Sequence, residues 1–148
     1  MSVPYRFDLD VRFYELDPYG HVNHATYLQY FEAARVAWLD TIGQGLDRLL
    51  AKEIQLLVIA VAVRFVAPAV LHDTLTIETG MIRSRRVRAQ WAQRAMRGDE
   101  LIACQRVNFA VANKAGKPVR IPDTLADAMN RFDVGQDWAA RELPDLAL

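Results

Sequence analysis

The sequence predicts an α+β fold, one long helix laid across a curved antiparallel sheet, and three observations carry that reading. RFDLDVRF at residues 6–13 alternates apolar and charged side chains, the period of a half-buried strand. Residues 25–42 carry few charges and are apolar nearly all round, the pattern of a buried helix. Four strand-like runs then occupy residues 55–112, and the short loops between them favour antiparallel neighbours.

Each element follows from its local chemistry. In the first strand Phe7, Leu9, Val11 and Phe13 fall on one face. Pro18 and Gly20 break that pattern. The helix runs from Ala25 to Ile42, with Asn23 placed to cap its start and Gly43 to stop it. Eighteen residues span about 27 Å of helix, and Glu32 and Arg35 are spaced to pair across one turn. A short amphipathic piece at 45–53 leads into strands at 55–67, 73–83, 84–97 and 101–112. The third of these sets Val87, Ala89 and Trp91 against Arg86, Arg88 and Gln90. Asp123 is placed to cap a last helix through Phe132, with a peripheral tail beyond it. A sheet of this kind leaves edges that subunits often pair, so an oligomer is expected.

Composition excludes several function classes. At 148 residues the chain reads as one domain over 1–148, large enough to bury a core. Acidic and basic residues balance at 18 each, which gives no push toward nucleic acid or an anionic membrane. Cys104 is the single cysteine, so no internal disulfide forms and a reducing, cytoplasmic setting is expected. No signal peptide is evident, and the most apolar run, residues 54–63, is about half a membrane span.

The stretch ELDPYGHVNHATYLQYF at 15–31 concentrates the polar chemistry. Asp17, His21 and His24 could ligate a metal, but no further Cys or His clusters with them, and no metal is expected. Serine chemistry is excluded because there is no G-x-S-x-G elbow and the serines are only Ser2 and Ser84. Cys104 lies in an apolar strand, where a buried inert thiol is expected. The helix start offers a third reading, since its first amides lack internal partners and can polarise a carbonyl. Gly20 would leave room for that carbonyl, and Asp17 could act from its other side on an activated acyl group such as a thioester. An Asp-Pro turn and an Asn cap account for the same residues equally well. The arginines at 83, 85, 86, 88, 94 and 97 read mainly as a solvated sheet face, with phosphate binding as the sharper alternative.

The segment 14–27, YELDPYGHVNHATY, followed by YFEAAR at 30–35, resembles the 4-hydroxybenzoyl-CoA thioesterase family of hotdog-fold acyl-CoA thioesterases. The likeness continues through Pro68, HDTL at 72–75 and GKPVRIP at 116–122, covering roughly residues 6–125. It implies a hotdog fold and hydrolysis of a fatty or aromatic acyl-CoA to free acid and CoA. It implies no cofactor beyond the coenzyme A of the substrate. By the family pattern Asp17 is the catalytic carboxylate, Gly20 the glycine of the helix-start loop, and His24 the residue whose backbone amide polarises the thioester. Tyr27 is placed at the substrate, and Arg85 and Arg86, with Arg88 as an addition, at the CoA phosphates. His24 stands where a second Asn is common, and Leu16 where a polar residue is common. The resemblance further implies a homodimer or a homotetramer, a dimer of dimers, with sites at the subunit interface. Acyl-carrier-protein thioesters as substrates, and a non-catalytic acyl-CoA-binding protein, are the alternatives.

Overall fold

The computed structural model describes residues 3–140; Met1, Ser2 and residues 141–148, the two ends of the expected single domain, lie outside the described residues. The elements run β1 (Tyr5–Asp10), a 3₁₀ turn (Phe13–Glu15), α1 (His24–Thr41), α2 (Leu46–Ala51), β2 (Ile54–Phe65), β3 (Thr74–Ser84), β4 (Arg88–Arg97), β5 (Glu100–Asn113), α3 (Asp123–Asn130) and α4 (Asp137–Ala140). The strands form one antiparallel sheet in the order β1-β3-β4-β5-β2, so β1 and β2 are its edges. This is the hotdog arrangement, with α1 lying along the inner face of the sheet.

Alternation along β3, β4 and β5 sends one set of side chains inward to α1. Tyr27, Tyr30, Phe31 and Ala34 pack on Leu75, Ile77, Ala95 and Ala103 near the start of the helix. Trp38 and Leu39 pack on Trp91, Val107 and Phe109 near its end. The Trp38 and Trp91 rings meet edge to face at 5.0 Å, a favoured aromatic geometry. Between these apolar clusters lies a polar waist. Arg35 donates to Gln93 Oε1 at 2.9 Å, and Gln93 Nε2 donates to the Phe31 carbonyl and to Thr79 Oγ1.

Several expectations are corrected. The first strand stops at Asp10, and Phe13 turns out to solvent in the 3₁₀ segment. The third strand of the later four begins at Arg88, because 85–87 form the β3–β4 turn, closed by Arg85 N–H donating to the Arg88 carbonyl at 2.7 Å. Gln90 is fully buried against Asn108, so that strand is covered on both faces. Helix α1 is buried on one side only, and Leu28, Gln29, Glu32 and Ala33 remain exposed. Arg35 does not pair with Glu32 but turns inward to Gln93. The residue before α3 is Pro122, and Asp123 makes no capping bond of its own.

The described residues after α3, 131–140, are not peripheral. Phe132 packs on Trp38, Val134 is buried, and Gly80 on the outer face gives Val134 the room it occupies. Arg94 leaves solvent to lie 3.9 Å over the Trp138 ring while it bonds Glu78. The solvated-face reading therefore fails for Arg94, and also for Arg97, which bonds Asp73 and Glu100.

Candidate active site

The loop between the 3₁₀ turn and α1 is held at both ends by backbone bonds. Asn23 N–H donates to the Glu15 carbonyl and Val22 N–H to the Ala69 carbonyl, each at 2.9 Å. Within it Asp17 and His21 bond reciprocally. The Asp17 N–H donates to the His21 carbonyl at 2.7 Å, and Asp17 Oδ1 accepts from the Tyr19 and His21 amides at 2.9 and 3.1 Å. These bonds fix one carboxylate oxygen and leave Oδ2 as the oxygen that can act. Gly20 closes the turn with its N–H on the Asp17 carbonyl at 3.0 Å and a φ of +79°, a region that favours glycine.

The helix start behaves as the sequence suggests. Asn23 Oδ1 accepts from the Ala25 amide, and the Asn23 carbonyl accepts from the Thr26 amide, both at 2.9 Å. That leaves the His24 amide as the first-turn donor without an acceptor among the described residues. His24 itself is exposed.

Asp17, His21, Val22, His24 and Tyr27 form one wall of a cavity of about 380 Å³, and Phe65, Val66, Ala67 and Pro68 form the other. Val66 and Ala67 are held there by bonds from both amides to the Ile102 carbonyl. Tyr27 Oη accepts from the Ala69 amide at 3.3 Å, so its own proton is free to be given to a ligand. Burial raises the Tyr27 phenol above its ordinary value of 10.0, with the Ala69 amide working against that, and the ring stays protonated at neutral pH. Behind it, Tyr30 Oη donates to Glu15 Oε1 at 2.9 Å, and burial followed by that carboxylate raises the Tyr30 phenol strongly.

The structure brings Asp17, His24 and Tyr27 together around one cavity. Gly20 does not line it, and a Cβ there would meet nothing within 4 Å, so its geometry serves the turn rather than substrate access. Arg85, Arg86 and Arg88 are not at the cavity either. Arg88 pairs with Ala110 and Phe65 with Ala103, and the seven steps along β5 from one row to the other separate them by about 24 Å. The Phe65–Pro68 wall and the Tyr27–Ala69 bond were not read from sequence. Pro68, which ends the apolar run, was their one signal. Among the described residues no three His, Cys, Asp or Glu side chains are grouped as metal ligands.

The profile of the thioesterase-like superfamily matches residues 11–129. The chain belongs to the thioesterase-like superfamily. Membership places it among thioester hydrolases, and the hotdog sheet and helix agree. It is 28% identical over 130 residues to the acyl-CoA thioesterase YbgC of Haemophilus influenzae, covering 86% of this chain and 96% of the relative. It is 39% identical over 69 residues to the long-chain acyl-CoA thioesterase FadM of Escherichia coli, covering 47% of this chain and about half, 52%, of that relative. A crystal structure of a probable thioesterase from Bartonella henselae superposes with a TM-score of 0.77 at 29% identity, over 80% of this chain and 99% of the other.

Proposed function

We propose that this thioesterase hydrolyses a fatty or aromatic acyl-CoA to the free acid and CoA at the Asp17–His24–Tyr27 cavity. The observation that carries the reading is that a half-fixed carboxylate and a helix-start amide with no acceptor among the described residues line the same cavity. The thioester carbonyl oxygen accepts from the His24 N–H, and one such donor contributes on the order of a hundredfold in rate. Asp17 Oδ2 either takes a proton from the attacking water or attacks the carbonyl itself to form an anhydride that water then opens. In both routes the C–S bond breaks, CoA leaves as thiolate and takes up a proton, and the acid is released. Tyr27 supplies a neutral donor beside the acyl group. No cofactor enters these steps beyond the CoA of the substrate.

The distance of the arginines supports a shared site. Edge strand β2 exposes Leu57, Val58, Ile59, Val61 and Phe65 and has no neighbour on one side, a surface that soluble chains cover. Antiparallel pairing with a second copy about the middle of Ile54–Phe65 sets Phe65 within about 10 Å of the partner's Leu57 row. The partner subunit's Arg85, Arg86 and Arg88 then reach toward this chain's cavity, where they bind the CoA phosphates. Whether such dimers pair again into a homotetramer does not alter that site. A cytoplasmic location accords with a single, buried Cys104 thiol. No helix among the described residues is long and apolar enough to cross a membrane.

Matched acyl groups presented on CoA and on acyl carrier protein test the substrate. Thiol release from the CoA esters is expected. Turnover of the carrier-protein esters alone moves the substrate to that carrier, and turnover of neither removes the hydrolytic reading.

A further inference from the structure

Glu15 touches the helix start at two places. It sits in the 3₁₀ turn, two residues before Asp17. Its carbonyl accepts from the N–H of Asn23, the capping residue next to His24, at 2.9 Å. Its carboxylate oxygen Oε1 accepts from the Arg12 amide at 2.7 Å and from Tyr30 Oη at 2.9 Å. Tyr30 is 3% exposed and the Glu15 side chain 10%, so water competes little for that bond. Tyr30 stands six residues after His24 in α1, about 9 Å along the helix. One residue therefore grips both the chain just before α1 and the body of α1.

The contacts of Asp17 itself do not reach that far. The bonds from the Asp17 N–H to the His21 carbonyl, and from the Tyr19 and His21 amides to Oδ1, all lie within residues 17–21. They fix the shape of the loop, not its place against α1. Leu16 and Val22 pack in the same core cluster as Tyr30, but apolar contact is non-directional and tolerates a small slide. A hydrogen bond to a carboxylate fixes distance and angle together. Among the described residues, the side-chain bond that joins this arm to the body of α1 is Tyr30 to Glu15. The Tyr30 ring also meets Tyr27 edge to face, with centroids 5.9 Å apart, so the same bond steadies a third residue of the cavity.

We infer that Glu15 is a positioning residue, which through Tyr30 and Asn23 holds the Asp17 carboxylate at its working distance from the His24 amide. The inference rests on the Asp17 reading above and adds to it a residue that does not line the cavity. Misplacing a reacting group by about 1 Å costs on the order of a hundredfold in rate. The effect belongs in kcat, because Glu15 touches no part of the bound ester.

The test measures kcat and KM for thiol release from dodecanoyl-CoA or benzoyl-CoA, whichever wild type turns over, beside the Tm of Tyr30→Phe, Glu15→Ala and Glu15→Gln. Tyr30→Phe keeps the packed ring, and Glu15→Gln keeps an acceptor oxygen. Tyr30→Phe and Glu15→Ala are expected to lose about ten- to a hundredfold in kcat, with KM within about threefold. Glu15→Gln stays within about threefold of wild type in both. Repeating Tyr30→Phe in an Asp17→Asn background separates positioning from general loosening. With the carboxylate already gone, a further fall of less than about threefold is expected. A wild-type kcat in Tyr30→Phe overturns the inference while leaving hydrolysis standing, and it does so even if Glu15→Ala fails to fold. A loss carried by KM, a Glu15→Gln as slow as Glu15→Ala, or an equal fall in the Asp17→Asn background overturns it too. Hydrolysis of neither ester by wild type, or an Asp17→Asn protein as fast as wild type, removes the underlying reading and the inference with it.

Discussion

Arg85, Arg86 and Arg88 provide a test of the shared site that uses numbers set by the fold. They lie about 24 Å along the sheet from their own chain's Asp17 cavity, too far to serve it. Replacing all three with Ala removes three exposed phosphate contacts, together about 2 kcal/mol or roughly thirtyfold in kcat/KM. Asp17→Asn removes the carboxylate instead. In a mixed dimer the triple-Ala chain contributes an intact Asp17, and the Asp17→Asn chain contributes the arginines facing it. One site of the two is then complete and the other lacks both. Random exchange of equal amounts makes about half the dimers mixed, so thiol release at low acyl-CoA recovers to about a quarter of wild type. Each parent alone stays far below that. If mixing yields no more than the average of the parents, the arginines do not act across the interface and the shared-site account is wrong.

Two further outcomes test the packing around the site. Gly80→Ala drives a methyl into Val134 and against the Phe132 carbonyl at 3.1 Å, and valine is stiff at that bond. A loss of about 1–3 kcal/mol, several degrees in Tm, is expected, and adding Val134→Ala restores most of it. A neutral Gly80→Ala refutes the close packing of the segment after α3. Burial pushes the Asp73 carboxyl up, but the Val70 amide and Arg97 outweigh it and hold it below its ordinary value of 3.8. A depressed value means that the folded state favours the ionised form. The stability this supplies is complete above about pH 4 and is lost as the pH falls through the lowered value. Asp73→Asn therefore lowers Tm at pH 7, and the difference shrinks as the pH falls below 3.8. A difference that persists unchanged at pH 2 contradicts that linkage.

The elements were legible in the sequence wherever one periodicity ruled. Helix α1 begins and ends within a residue of expectation because Asn23 caps it and Gly43, at a φ of +74°, stops it. The order of strand, helix and four strands was readable from alternation and turn residues. The polar waist was not legible, because Gln93 and Gln105 are buried by contacts between β4, β5 and α1 that no local pattern encodes. The outer face was misread for a related reason. Alternating arginines look solvated until a distant segment carrying Val134 and Trp138 folds over them. At the site, the helix-start motif pointed to Asp17 and His24, but the opposite wall at Phe65–Pro68 comes from a strand remote in sequence. The separation of the arginines from that cavity follows from strand register, which only the folded chain reveals.

The central claim is that Asp17 performs the chemistry. The direct measurement is thiol release from saturating acyl-CoA by wild type and Asp17→Asn, beside the Tm of each. The account predicts a fall in kcat of about a hundred- to ten-thousandfold with the Tm little changed, since Asn retains an oxygen for the Tyr19 and His21 amides. An Asp17→Asn protein that hydrolyses the same esters at the wild-type rate contradicts it.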